Sequence, residues 1–450
     1  MPSPAINPPL TTGRATLERH HWHILFASLF GRFFDGYETF ILFVSLTPAL
    51  RDILPAGQMA HAAEYAGIIF AATMTGRSIG GMASGVLADY IGRKRTMLWS
   101  YLIYTISTLL TGFVDHWGWL AITRLATGMA LGGGLGLGAT LIAESWPEGM
   151  RAKGQSWMQS AFGVGGVLAN MLWFFLEPIT GDAGWRWPYF LGALPGVFLL
   201  AYTKRNVPES ERFLAKRQKR QQMRSRAATD MPEQDNADQK IMRQFTMVAL
   251  FRQPELRSPL IKCMIMSFGT IVSYWAVSTW IPAYVESVTR AGGHTSVHWG
   301  SLAGAAFALG AIPGYLAASY LADSIIGRRG MLAFYFSGSV LSTFAVYLWA
   351  SEPWSLMIAT FIHGFYTQGQ FVWFAIYPPE LFPTAVRGSA LSTIFNVSRF
   401  VSILGPLFAG VLITRLGGYS VTASLFGLLY LVALAVVPFS PETRGKPLPN

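Results

Sequence analysis

Arg32, Asp35 and Glu38 recur at every third position inside the apolar stretch GRFFDGYETFILF. On a helix such residues share nearly one face, so Arg32 can reach Asp35 and Asp35 can reach Glu38. An ionised side chain at a bilayer centre costs roughly 2.5 to 3.5 kcal/mol, so three facing lipid would cost about 7 to 10 kcal/mol. They are therefore expected to face a protein-lined cavity. One reading is a salt bridge that fixes packing. The other is a proton site, because burial disfavours the carboxylate, a nearby arginine favours it, and a moving cavity can alternate the two environments. Asp35 leads as proton carrier and Glu38 follows. Arg32 lies toward the start of the helix, where it can snorkel.

Further polar residues punctuate other apolar runs. Arg124 lies too deep to snorkel and is expected to find a partner on the first helix. Arg399 could hold a carboxylate through bidentate hydrogen bonds or could pair with a backbone carbonyl. Arg77 reads as a structural pair. In FIHGFYTQGQF, His363, Tyr366, Thr367 and Gln370 fall on one helical face and are expected to line a cavity. Titration of His363 near neutral pH would follow. Ser267, Thr270, Tyr274 and Ser278 form a comparable stripe beside Trp275 and Trp280. Aromatic residues at this spacing serve packing more often than binding.

The elements that must position these groups follow from composition. The chain has 450 residues, 52% hydrophobic and 13% charged, against about 25% charged in an ordinary soluble domain. Apolar runs long enough to cross a bilayer recur from end to end. They lie near 24–49, 63–88, 96–114, 117–143, 155–176, 187–203, 259–285, 299–321, 331–350, 354–377, 389–414 and 421–438. The first run is followed by no small-residue cleavage site and is expected to stay as a transmembrane helix. Residues 204–257 form a charged central segment, expected to be cytoplasmic, between a first bundle at 1–203 and a second at 258–450 with a short cytoplasmic tail.

The net charge of +11 reports topology rather than nucleic-acid binding. With both termini inside, Lys and Arg crowd the inner segments, while Arg51, Arg186, Arg290 and Arg415 fall outside. A single cysteine, Cys263, excludes an internal disulfide, and no cluster has metal-ligand spacing. The glycine run GMALGGGLGLG lacks both the register and the preceding strand of a nucleotide loop, and close helix packing explains it better. No Walker motif is present, and no cofactor is expected. Nor does any nucleophile, base and acid set support an enzyme.

The two halves repeat. GVLADYIGRKR resembles SYLADSIIGRRG, matching Asp89 with Asp323 and Arg93 with Arg328, while Glu144, Pro147 and Arg151 match Glu380, Pro383 and Arg387, each 236 residues on. Two parallel six-helix bundles with a site between them are expected of a transporter.

On these residues the chain resembles the major facilitator superfamily. Its signature loop stands as Gly85, Asp89, Gly92, Arg93, Lys94 and Arg95, its fourth-helix motif as RLATGMALGGG, and the segment after its sixth helix as PESERF. In the second copy Ser319 replaces the expected glycine and Gly327 comes one residue late. Within the superfamily, DGYE, YWAVSTWIPAYV and NVSRFVSILGP look most like proton symporters for aromatic and other organic acids, although that branch more often has Asp where Glu38 stands.

The resemblance implies an all-α membrane protein of 12 transmembrane helices in the inner membrane, both termini cytoplasmic, working as a monomer by alternating access. Arg124 would serve proton coupling with Asp35 and Glu38. Arg399, His363, Tyr366, Gln370, Tyr274 and Ser278 would meet the cargo. Gly85, Asp89, Gly92, Arg93, Arg95, Glu144, Arg151, Asp323, Arg328, Glu380 and Arg387 would form state-dependent gates at the inner helix ends. The expected cargo is a small organic anion taken up with protons. The alternative is a sugar, phosphate or exported drug-like compound on the same fold.

Overall fold

A computed structural model of the chain describes residues 17–210, 213–214, 218, 250–294, 298–383, 386–404, 412–413, 418–445 and 449. Most of the central segment, and the side chains of Asp89 and Arg387, lie outside the described residues.

The first half consists of α1 (Arg19–Ile53), α2 (Ala62–Ile91), α3 (Arg93–Thr111), α4 (Trp117–Gly132), α5 (Gly134–Ser145), α6 (Glu148–Thr180) and α7 (Trp187–Asn206). The second runs through α8 (Pro254–Ser278), α9 (Ile281–Ala291), α10 (Trp299–Asp323), α11 (Gly327–Phe344), α12 (Pro353–Gly369), α13 (Trp373–Ile376), α14 (Arg387–Ser402), α15 (Tyr419–Gly427) and α16 (Leu429–Val436). Over the described residues the expected spans fall on these helices, which often extend past the apolar window, while 405–411 and 414 of the span expected at 389–414 lie outside the described residues. Such ends lie where lipid gives way to water, so polar residues can complete the last turns. Broken helices such as α4 with α5 and α8 with α9 each serve as one span. Large apolar side chains including Ile103, Phe175, Leu194 and Leu348 remain exposed, as a lipid-facing surface requires.

Glycines set the closest approaches. A Cβ on Gly128 would lie 2.3 Å from the Thr73 carbonyl oxygen, and one on Gly132 would lie 2.1 Å from that of Arg77. The glycine run therefore brings α4 against α2 at backbone distance, as its composition predicts. Between the halves, α6 packs on α10 through Gly163, Gly166 and Gly304.

At the basic end of the molecule the repeat appears as geometry. Gly92 (φ 102°) separates α2 from α3, and Gly327 (φ 67°) precedes Arg328 at the start of α11. Both occupy the left-handed region that glycine enters at little cost. Glu209 Oε1 accepts hydrogen bonds from the Arg93 and Lys94 amides at 2.8 and 3.2 Å. Glu442 accepts from the Arg328 and Arg329 amides, each at 3.0 Å. Gly327, one residue late in sequence, thus meets its carboxylate as Gly92 does.

Candidate functional site

α1 carries its three ionisable residues through the middle of the first bundle, where Arg32, Asp35 and Glu38 are all buried. They do not form one chain of contacts. Asp35 is bridged by two arginines: Arg32 Nη1 donates to its Oδ2, and Arg77 Nη1 from α2 lies 2.8 Å from its Oδ1. Arg77 Nη2 donates to Thr39 Oγ1 at 2.6 Å, and Arg32 Nε donates to Gln159 Oε1 on α6 at 2.6 Å. Arg32 also rests over the Phe162 ring at 4.2 Å. Three helices of the first bundle therefore hold one carboxylate.

Glu38 turns deeper into the bundle. Arg124 Nη1 donates to Glu38 Oε2 at 2.5 Å, and Thr108 Oγ1 donates to Oε1 at 2.9 Å. The other Arg124 nitrogen, Nη2, donates to Thr111 and Thr127 hydroxyls at 2.5 and 3.0 Å, and the guanidinium lies 4.7 Å from the Tyr189 ring centroid. Both side chains are 1% exposed. A buried pair persists only with such added hydrogen bonds, since removing either partner strands a charge. Between the Asp35 and Glu38 pairs, Thr39, Arg77, Arg124 and Thr127 border a cavity of about 10 Å³, room for about one water.

Arg399, on α14 of the second bundle, is buried at the same level. Its Nη1 donates to the Arg77 carbonyl at 3.2 Å and its guanidinium lies 4.5 Å from the Phe395 ring centroid. Its Nε has no hydrogen-bond partner, and no carboxylate lies within ion-pair distance among the described residues. Of the two expectations for Arg399, the backbone carbonyl is the contact seen, while capacity for an anion is left over.

The second bundle contributes neutral polarity. Tyr274 is fully buried with an unpartnered hydroxyl, stacked on Phe307 at 6.3 Å. Ser278 and Ser342 hydroxyls flank the two His363 nitrogens at 3.5 and 3.1 Å. His363 therefore sits inside the second bundle, against Phe307, rather than among the ionised groups. Gln370 Nε2 donates to the Thr367 carbonyl at 2.9 Å, leaving Oε1 unpartnered. Tyr366 points another way: it is half-buried against Gly338, Phe334 and Tyr335 of α11. The helical face drawn from the sequence is broad enough to span both directions.

The expected gate residues gather at the basic end, away from this cluster. Arg93 Nη2 lies 3.1 Å from Glu144 Oε1, and Arg328 Nη2 lies 2.8 Å from Glu380 Oε1. Arg328 Nη1 also bonds Asp323 Oδ1 at 2.7 Å. Ser210 donates to Glu144, as Thr443 donates to Glu380 at 2.5 Å. Arg151 donates to the Trp146 carbonyl at 2.9 Å, Arg95 is exposed, and Gly85 faces open space. Glu442 lies beyond the last span. Partial burial pushes its carboxyl upward, but amide donors from Arg329, Arg444, Arg328 and Thr443 prevail and hold it below the usual range.

Sequence reasoning read Arg77 as a structural pair without naming Asp35 as its partner, and it missed Gln159, Thr39 and Thr108. It also missed that PES at 208–210 has its counterpart in PET at 441–443. The second could have been found by searching for a third repeated motif.

The family model described as "Sugar (and other) transporter" matches residues 24–450. The chain belongs to that family. It is a multi-pass transporter of the major facilitator superfamily, not an enzyme. It is 26% identical to the niacin transporter NiaP of Acinetobacter baylyi, over 96% of each chain. Its identity to the gallate transporter of Pseudomonas putida is 25%, covering 93% of this transporter and 91% of that one. The fold matches a partially occluded inward-open structure of the xylose transporter XylE from E. coli with a TM-score of 0.71 and 20% identity, covering 96% and 100% of the two chains.

Proposed function

We propose that this transporter takes up a small organic anion together with protons, by rocking bundles 1–203 and 258–450 about the site between them. The inner membrane would hold it with the basic end and both termini in the cytoplasm, and one chain would suffice for transport. The observation that carries this reading is the surplus of cation at the bundle interface. Arg32 and Arg77 share the single carboxylate of Asp35 there, while Arg399, bonded to the Arg77 carbonyl, has no carboxylate within ion-pair distance among the described residues. A neutral sugar would leave that surplus in place, whereas a carboxylate would offset it.

The relatives named for niacin and gallate agree, since both compounds are small aromatic carboxylic acids. Asp35 is the leading proton carrier and Glu38, controlled by Arg124, the second. Arg399 would contact the anion; Tyr274, Gln370, Ser278 and His363 would shape the neutral side of the pocket, and Tyr366 would brace it from behind.

The test is an uptake screen in vesicles with an imposed inward proton gradient, using labelled benzoate, nicotinate, gallate, cis,cis-muconate, xylose and phosphate. Accumulation of one or more acids that collapses with a protonophore is expected. Gradient-driven accumulation of xylose or phosphate alone would overturn the reading.

A further inference from the structure

Building on the rocking of the two bundles proposed above, we infer that Glu177 and His298 form a second proton-binding site, apart from the first helix, whose occupation holds the bundles shut at the end opposite the basic loops.

One face of α6 carries Gly163, Gly166, Asn170 and Glu177. It meets α10 in descending order of position. A Cβ on Gly163 would lie 2.6 Å from the Ala308 carbonyl oxygen, one on Gly166 would lie 2.8 Å from the Ala308 Cβ, and one on Gly304 would lie 2.1 Å from Asn170 Oδ1. At the rim, His298 Nδ1 lies 3.1 Å from Glu177 Oε2. Asn170 Oδ1 is buried in this seam without a partner, and an unpaired buried acceptor disfavours closure. The pair at the rim works the other way, because it forms only while the seam is shut.

The charges around the pair leave a place for one proton. Asp182 in the turn after α6, and Glu286 and Arg290 on α9, face Glu177. Asp182 has Arg51 of α1 at 3.7 Å, while Glu286 has Arg290 at 2.7 Å and the Gly300 amide at 2.8 Å. Each of those acids thus has an arginine, whereas Glu177 has an imidazole. Three carboxylates face two guanidinium groups until the imidazole gains a proton and becomes the third cation. Histidine is the side chain suited to that exchange between about pH 5 and 8. A charge-assisted hydrogen bond is about twice as strong as a neutral one, so protonation tightens the contact. Both side chains stay partly exposed, which gives water access to them.

Linkage sets the sign. A proton held more tightly by the shut carrier than by the open one favours shutting, and that gain is lost as pH rises. The proton comes from the water on this side and returns to it on reopening, so it is not carried across. It governs how readily this mouth closes and leaves the number of protons accompanying the cargo unchanged.

Double electron–electron resonance on the full chain in lipid nanodiscs, without cargo, tests this. Ile179→Cys lies at the exposed end of α6, and Ser355→Cys lies beside the Trp354 that packs on Trp299. Spin labels there span the seam, and the native Cys263 is buried. As pH falls from about 8 to about 5.5, the short distance should gain on the long one by up to about tenfold per pH unit. His298→Gln should hold one ratio at every pH, that of the wild type at pH 8. His298→Lys, cationic throughout, should show at pH 8 the ratio that the wild type reaches in acid, an effect that a merely structural histidine would not give.

Two distances in a ratio indifferent to pH would overturn the inference and leave the rocking intact. So would a pH response that survives in His298→Gln, or a His298→Lys protein no more closed at pH 8 than the wild type. A single distance in all three proteins at every pH would mean that the bundles do not rock at this seam, and both would fall. Because no cargo is present, the result does not depend on which compound is carried.

Discussion

Arg328 and Glu380 pair at 2.8 Å at the basic end of the second bundle, as Arg93 and Glu144 pair at 3.1 Å in the first. Each arginine opens a helix whose first amides are capped by a glutamate from beyond the last helix of its own bundle. Carboxylates at helix starts complement both the unpaired amides and the positive end of the dipole. A single structural device thus ties the third and fourth helices of each bundle to the segment beyond its sixth.

Glu442 gives this device a pH signature. Its carboxyl is held below the usual range in the folded protein, so the stabilisation is present above its unfolded-state pKa and is lost as pH falls through the lowered folded value. Glu442→Gln should therefore melt below wild type at pH 7, with the gap closing as the pH is lowered below about 4. A thermal-shift series across pH would measure it, and a gap that widens in acid would refute the assignment.

Arg124 and Glu38 should behave as a unit. Arg124→Gln strands a buried carboxylate and should cost about 3 to 5 kcal/mol. Adding Glu38→Gln should recover most of that loss by removing the stranded charge. The double variant should still fold, yet take up acid with an altered pH profile. Thermal unfolding of the full mutant cycle, alongside uptake, checks both parts.

The seam between α2 and α4 tolerates no side chain. At Gly132 a Cβ would lie 2.1 Å from backbone oxygen, a contact that no rotamer relieves. Gly132→Leu should lose at least the roughly 1 to 3 kcal/mol typical of overpacking, while Gly134→Ala, which meets nothing within 4 Å, should be nearly neutral. Yield of monodisperse protein and melting temperature discriminate the two.

At the end opposite the basic loops, Glu177 of α6 and His298 beside α10 meet at 3.1 Å across the two bundles. The rocking proposed above would part them. A carrier with Glu177→Cys and His298→Cys should lose uptake when a short bifunctional maleimide bridges the pair, and each single variant should keep it. The native Cys263 is buried and should not react. Undiminished uptake by the bridged protein would argue against movement at this seam.

The helical spans, the repeat and the ionised face of α1 were all legible in the sequence. Lipid forces apolar runs of fixed length, and helical periodicity places Arg32, Asp35 and Glu38 on one side without any knowledge of neighbours. The glycine run likewise announced a close helix contact. Partner choice was not legible. Asp35 takes Arg77 from α2 and Glu38 takes Arg124 from α4, although the sequence offers Asp35 and Glu38 to each other as neighbours. Gln159 reaches Arg32 from 127 positions away, and Tyr366 leaves the face it shares with His363 in the sequence pattern. Periodicity fixes where a side chain points relative to its own helix axis. How each helix is turned toward the others depends on packing summed over the whole bundle, and that rotation decided which charges met.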